Sequence, residues 1–232
     1  MRYLGGKSRL AKEIAGVLSG FLGSAGVYVE PFVGSAAVAE KLAGLSPIPM
    51  LLADSHPDLI LLYRAMQNGY VPPDAVSEQE YEQAKQLQPC AYRGFVGFAC
   101  SYGGKWFGGY ARGEERNYAL EGKRSLLRTV AALQGARFLC CDYRELVMPG
   151  RALIYADPPY ANTTRYRDGQ FDSDALWDWA RRQSASGHTV IVSEYAAPDD
   201  FDTLWEKPHT TSIRPRSGNE QRIERLFKLR GY

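Results

Sequence analysis

The tetrapeptide Asp157-Pro158-Pro159-Tyr160 directly follows the apolar run Ala152–Ala156. A short apolar run ending in an acid predicts a buried strand that delivers the acid to the carboxyl edge of a sheet, where open α/β sheets hold ligands. Two successive prolines fix φ and carry no N–H, so the neighbouring carbonyls can face a ligand. The Asp157 carboxylate and the Pro158 carbonyl can together accept both hydrogens of a planar exocyclic amine. That arrangement makes the nitrogen a better nucleophile toward a methyl electrophile. Tyr160 offers a face on which a flat base can stack. The same tetrapeptide would also serve as an ordinary exit from strand to turn.

A second piece, Tyr28-Val29-Glu30-Pro31-Phe32-Val33-Gly34-Ser35-Ala36-Ala37, reads as a strand, a tight turn of small residues and a helix start. Such a turn lets a cofactor approach the backbone at Glu30, Pro31, Phe32 and Gly34. It has neither a G-x-G-x-x-G fingerprint nor a P-loop Gly-Lys-Ser/Thr, which argues against a dinucleotide or a triphosphate. Asp54 ends the next apolar run about twenty residues after this turn, where an acid can hold ribose hydroxyls. Its plain alternative is to cap the helix that follows. Asp142, after the run ending at Cys140, is a comparable acceptor beside an adenine ring, or an ordinary loop carboxylate.

The elements that must position these groups are legible as apolar runs: Val27–Glu30, Pro49–Asp54, Ala136–Cys140, Ala152–Ala156 and Thr189–Ser193. Helical stretches separate most of them, among them Ser35–Leu42 and Asp172–Ser186. Alternation of this kind predicts a doubly wound, parallel α/β sheet. The rhythm breaks between Ser55 and Gly135, and we read an inserted, mostly helical subdomain there. Within it, Arg93–Arg112 is too rich in glycine for a helix and too aromatic for a disordered linker, so a loop or hairpin facing a ligand is expected. The expected division is 1–54 with 136–232 as one catalytic domain and 55–135 as the insert.

Composition narrows the class. A hydrophobic fraction of 45% and a charged fraction of 23% are those of a globular protein, and no apolar run is long enough to span a bilayer. The first residues have no signal-like apolar core, so a cytoplasmic location is expected. Four cysteines and three histidines show no metal-ligand spacing, so neither a disulfide framework nor a metal site is expected. The net charge of +2 is too small to indicate a polyanionic partner. From Lys207 onward, however, seven Lys/Arg stand against two acids, which suits a phosphate-facing surface or a solvated basic strand pair.

Four pieces in this order, Tyr3-Leu4-Gly5-Gly6-Lys7, Glu30-Pro31-Phe32-Val33-Gly34, Asp54 and Asp157-Pro158-Pro159-Tyr160, resemble the Dam-like class of N6-adenine DNA methyltransferases. The resemblance implies a Rossmann-like methyltransferase sheet with S-adenosylmethionine as cofactor and double-stranded DNA as partner. It places Tyr3, Lys7, Asp54 and Asp157 around the cofactor. By its type alone Lys7 reads as a solvated cation, so its role comes only from the resemblance. The resemblance also puts sequence reading in the insert, with Lys105, Trp106, Tyr110, Arg112 and Arg116 as the expected contacts. The chain departs from the pattern at Val33-Gly34-Ser35-Ala36, poorer in glycine than usual, and at Ser193-Glu194, where a Ser-Asn pair is common. Methylation of cytosine N4, of RNA or of a protein amide, and a catalytically silent DNA-binding relative, are the competing readings.

Overall fold

The computed structural model describes residues 1–113, 115–159, 171–210 and 221–232. Five strands, β1 (Val27–Glu30), β2 (Met50–Asp54), β3 (Arg137–Cys140), β4 (Ala152–Ala156) and β5 (Thr189–Glu194), pair in parallel. Two more, β6 (Phe201–Thr210) and β7 (Gln221–Leu229), form an antiparallel hairpin, and β7 pairs antiparallel with β5. The order across the sheet is β3-β2-β1-β4-β5-β7-β6. The chain therefore runs outward from β1 to β3, then returns to lay β4 on the other side of β1. That reversal is the topological switch point at which the carboxyl ends of neighbouring strands splay into a crevice.

Alternation along the strands sorts the core into two layers. Tyr28, Leu52, Leu153, Tyr155, Ile191 and Leu226 face one side. Val29, Leu51, Ala53, Ile154, Val190 and Val192 face the other. Because both faces are covered, the parallel strands are apolar throughout rather than alternating with polar residues. Helices α1 (Ala11–Ser19), α2 (Ala37–Ala43) and α3 (Pro57–Gln67) bury their apolar stripes on the first face, and α7 (Ser173–Ala185) buries Trp177, Trp179 and Ala180 on the second. This is the doubly wound, Rossmann-like α/β architecture expected from the sequence.

Three further helices occupy residues 55–135: α4 (Glu78–Ala84), α5 (Ala91–Ala99) and α6 (Tyr118–Ala132). Their Tyr81, Phe95, Val96, Leu126 and Val130 belong to the same core layer as Tyr28 and Leu52. Helix α5 corrects one expectation, since Arg93–Ala99 is helical despite Gly94 and Gly97. Close packing is the reason. A Cβ on Gly94 would lie 2.3 Å from the Asp58 carbonyl oxygen, and one on Gly97 would lie 2.2 Å from the Trp106 ring. The buried Arg93–Asp58 ion pair, at 2.7 Å, and the Cys90 N–H bond to Asp58 at 2.9 Å fasten α5 to α3. The hairpin expected in this region starts only at Ser101, which bridges to Tyr110. Among the described residues no helix is long and apolar enough to cross a membrane.

Candidate active site

The turn after β1 is built on its glycine. Gly34 has φ of +46°, a left-handed conformation, and a Cβ there would lie 3.0 Å from the Tyr3 ring. Side chains rarely adopt such a φ, and here there is also no room for one. The Gly34 N–H donates to Asp54 Oδ2 at 3.0 Å, and the Tyr63 hydroxyl donates to the Gly34 carbonyl at 2.9 Å. Asp54 Oδ1 accepts from the His56 N–H at 3.0 Å, so one carboxylate ties the turn after β1 to the start of α3. Burial pushes the Asp54 carboxyl up to about 6 despite these two donors. Tyr3 lies on Gly34 and stacks on Phe98 of α5 with ring centroids 5.1 Å apart. The amino-terminal segment is thereby clamped between the turn and α5.

Lys7 is not the solvated cation its type suggests. Only 5% of its side chain is exposed, and its ammonium donates to Asp157 Oδ1 at 2.5 Å and lies 3.7 Å from Glu224 Oε1. Burial alone would lower the lysine, but Asp157 and Glu224 outweigh it and hold it above its usual range. Asp157 stands just past the carboxyl end of β4, beside β1 and at the switch point. Burial, reinforced by Glu224 and opposed by Lys7, pushes its carboxyl up to about 6. Of the three charged groups Asp157 is the one that reaches the crevice, with 18% of its side chain exposed against none for Glu224.

More carboxyls gather at this edge. Glu30, ending β1, accepts from the Tyr28 hydroxyl at 2.6 Å and is pushed up to about 8 by burial, with Asp157 adding to the rise. Glu194, ending β5, is pushed up to about 7 chiefly by burial. The sequence reading missed Glu194 and Glu224. Glu194 had a usable signal, since it ends an apolar run as Asp54 does. Glu224 sits in a strand full of charges, where nothing marks one acid as buried.

Phe32 packs on Tyr143 and Phe171 at 5.1 and 5.9 Å, an aromatic group that flanks the turn. Pro31, in the same turn, is buried. Asp142 caps the short turn Tyr143–Glu145, and both its oxygens are taken by Arg144 at 2.8 and 2.9 Å. It lies at the same edge of the sheet, because Cys141 N–H bonds to the Asp54 carbonyl at 3.3 Å. Tyr160 lies outside the described residues, whereas Pro158 and Pro159 follow Asp157 within them.

In the insert, Lys105, Arg112 and Arg116 are exposed, the latter two paired with Glu78 and Glu121. Trp106 and Tyr110 point the other way. The Trp106 ring packs on His56 at 4.2 Å and on Phe98 at 4.7 Å, and the Tyr110 hydroxyl donates to the Val76 carbonyl at 2.6 Å. Both aromatics are half-buried and serve the packing of the hairpin.

Residues 3–95, which include the Tyr3–Lys7 segment, the Gly34 turn and Asp54, match the family of D12 class N6 adenine-specific DNA methyltransferases. The chain is a methyltransferase. The resemblance to Dam-like enzymes expected from the sequence is thus borne out, and the cofactor that goes with it is S-adenosylmethionine. Among curated proteins no sequence matches the chain. Solved structures with a similar fold include a proposed methyltransferase from Escherichia coli, 12% identical, covering 97% of this chain and 88% of that one, with a TM-score of 0.42. A proposed RNA methyltransferase from Pyrococcus horikoshii is 8% identical, covers 95% and 83%, and has a TM-score of 0.47.

Proposed function

We propose that this methyltransferase transfers the methyl group of S-adenosylmethionine to the exocyclic N6 amine of an adenine flipped out of double-stranded DNA. The observation that carries the reading is Asp157, a carboxylate delivered by β4 to the switch point, fixed on one oxygen by Lys7 and open to the crevice. The residues present suit the cofactor. An edge carrying the Asp54 and Asp157 carboxylates favours a cation such as a sulfonium, and the half-buried Phe32 and Phe171 rings offer apolar faces to a purine. Tyr3, Lys7, Glu30, Pro31, Phe32, Gly34, Asp54 and Asp142 are the proposed cofactor contacts. When bound, S-adenosylmethionine supplies an electrophilic methyl on sulfur.

Asp157 and the Pro158 carbonyl accept the two amine hydrogens, which orients the nitrogen lone pair toward that methyl. The amine that takes the methyl, whose former bonding pair stays on sulfur, becomes cationic and gives up one proton. Asp157, with its carboxyl near 6, is the acceptor at hand. Pulling the base from the stack costs a few kcal/mol, roughly what stacking on Tyr160 and contacts to phosphates can offset. The exposed Lys105, Arg112 and Arg116 of segment 55–135 are the proposed DNA-facing cations, with the catalytic domain formed by 1–54 and 136–232.

DNA incubated with the protein and S-adenosylmethionine, digested to nucleosides and analysed by mass spectrometry, is expected to contain N6-methyladenine. Appearance of N4-methylcytosine alone would replace adenine by cytosine in this reading. Methylation of RNA alone would remove DNA from it.

A further inference from the structure

Glu224 lies on the antiparallel strand β7, far along the chain from every motif that carries the family resemblance, yet it is wholly buried. A lone carboxylate in such a place is costly, and the surroundings show what holds it. The Ser193 hydroxyl, itself fully buried on β5, donates to Glu224 Oε1 at 2.6 Å. The same oxygen faces the Lys7 ammonium at 3.7 Å, and Lys7 in turn donates to Asp157 Oδ1. From sheet interior to crevice, then, the order is hydroxyl, carboxylate, ammonium, carboxylate. Four segments distant in sequence contribute to this string: the amino-terminal loop, the exit of β4, β5 and β7.

We infer that Glu224 is a positioning residue for methyl transfer: with Ser193 it holds Lys7 from behind, so that the ammonium engages one oxygen of Asp157 and leaves the other for the substrate amine. The inference rests on the reading of Asp157 as the amine acceptor. An ammonium between two carboxylates is drawn both ways, and its position is set by the balance. Without the charge on Glu224 the balance shifts toward Asp157, the ammonium slides from Oδ1 across to the second oxygen, and there it competes with the amine. Electrostatics point the same way, since Glu224 raises both Asp157 and Lys7. Among the described residues, the other ionisable groups around this string include Tyr28 and Glu30 on β1, Tyr155 on β4, Glu194 on β5 and Tyr195 after it. All of them remain in the variants used as tests.

Glu224→Gln keeps the shape and an acceptor for Ser193 while removing the charge. The wild-type protein, run alongside, tests the proposed reaction itself. Three results are expected of the variant. It melts as a folded protein, its kcat falls about ten- to a hundredfold, and its KM for S-adenosylmethionine stays near that of wild type. In protein without ligand, carbon-13 NMR of the aspartate carboxyls should show Asp157 titrating at lower pH than in wild type. Ser193→Ala should move both readouts the same way by less. An unchanged Asp157 titration with an unchanged kcat overturns the inference, as does a loss confined to KM. If wild type methylates no adenine, the proposed function falls, and the NMR titration still decides whether Glu224 sets the charge state of Asp157 through Lys7.

Discussion

Asp157 is the carboxylate of the buried string that reaches the crevice, and burial raises it to about 6, which makes pH its natural probe. Its folded pKa is raised to about 6, so it accepts hydrogen bonds with both oxygens above that pH and carries a proton below it. Under the proposed mechanism kcat/KM for methyl transfer should rise with pH through about 6 and then level. Lys7 lowers the Asp157 carboxyl, so Lys7→Met should move this rise to higher pH. Asp157→Asn should abolish it along with ~10²-fold or more of turnover. A pH profile whose acid limb is indifferent to Lys7→Met would separate Asp157 from the rate. What could be read in the sequence at this scale follows from the same chemistry. An acid before two prolines at the end of an apolar run announces itself. A buried lysine does not, because its burial depends on Asp157 and Glu224, 150 and 217 residues away in the chain.

At the scale of elements, α5 shows tertiary packing overriding local preference. Two glycines in nine residues cost the helix roughly 1 kcal/mol each relative to alanine. Exchanging Gly97 for alanine would nevertheless destabilise the protein, because the added methyl would sit 2.2 Å from the Trp106 ring, and an overpacked core typically costs about 1–3 kcal/mol, more than the propensity gain. Trp106 also packs on His56, which follows the Asp54 tie to the Gly34 turn. Gly97→Ala should therefore lower the melting temperature and weaken binding of S-adenosylmethionine together, read by thermal denaturation and calorimetry. A higher melting temperature would show that Trp106 has space to yield. The glycines of Arg93–Ala99 led to the expectation of a loop because propensity is local, whereas the reason for each glycine is an atom on another element, the Asp58 carbonyl or the Trp106 ring. By contrast α7 was legible end to end, because Asp172 caps it and its stripe of Leu176, Trp177, Trp179 and Ala180 is local in sequence.

Across the whole molecule, five apolar strands and the helices between them were readable because a parallel sheet covered on both faces has to be apolar on both faces. The β6–β7 hairpin was foreshadowed only as a basic strand pair, since its edge strand β6 is largely exposed and mixes charges with apolar residues. The common consequence of this architecture is an edge where several strands end in acids that the sheet itself desolvates. Stability should record this. For a carboxyl raised in the folded state, the unfolded chain loses its proton first, so the folded form binds more protons over the interval between the two values. Its contribution to stability then declines as pH rises through that interval. For Glu30 the interval runs from its ordinary value of 4.5 to about 8, the widest at this edge. Glu30→Gln removes that proton while keeping an acceptor for the Tyr28 hydroxyl. The stability of Glu30→Gln relative to wild type should therefore improve steadily from pH 5 to pH 8 and change little beyond, as measured by urea unfolding midpoints at each pH. A difference between the two proteins that stays constant over that range would mean that Glu30 ionises in the fold as readily as in water, and that the edge is wetter than its packing implies.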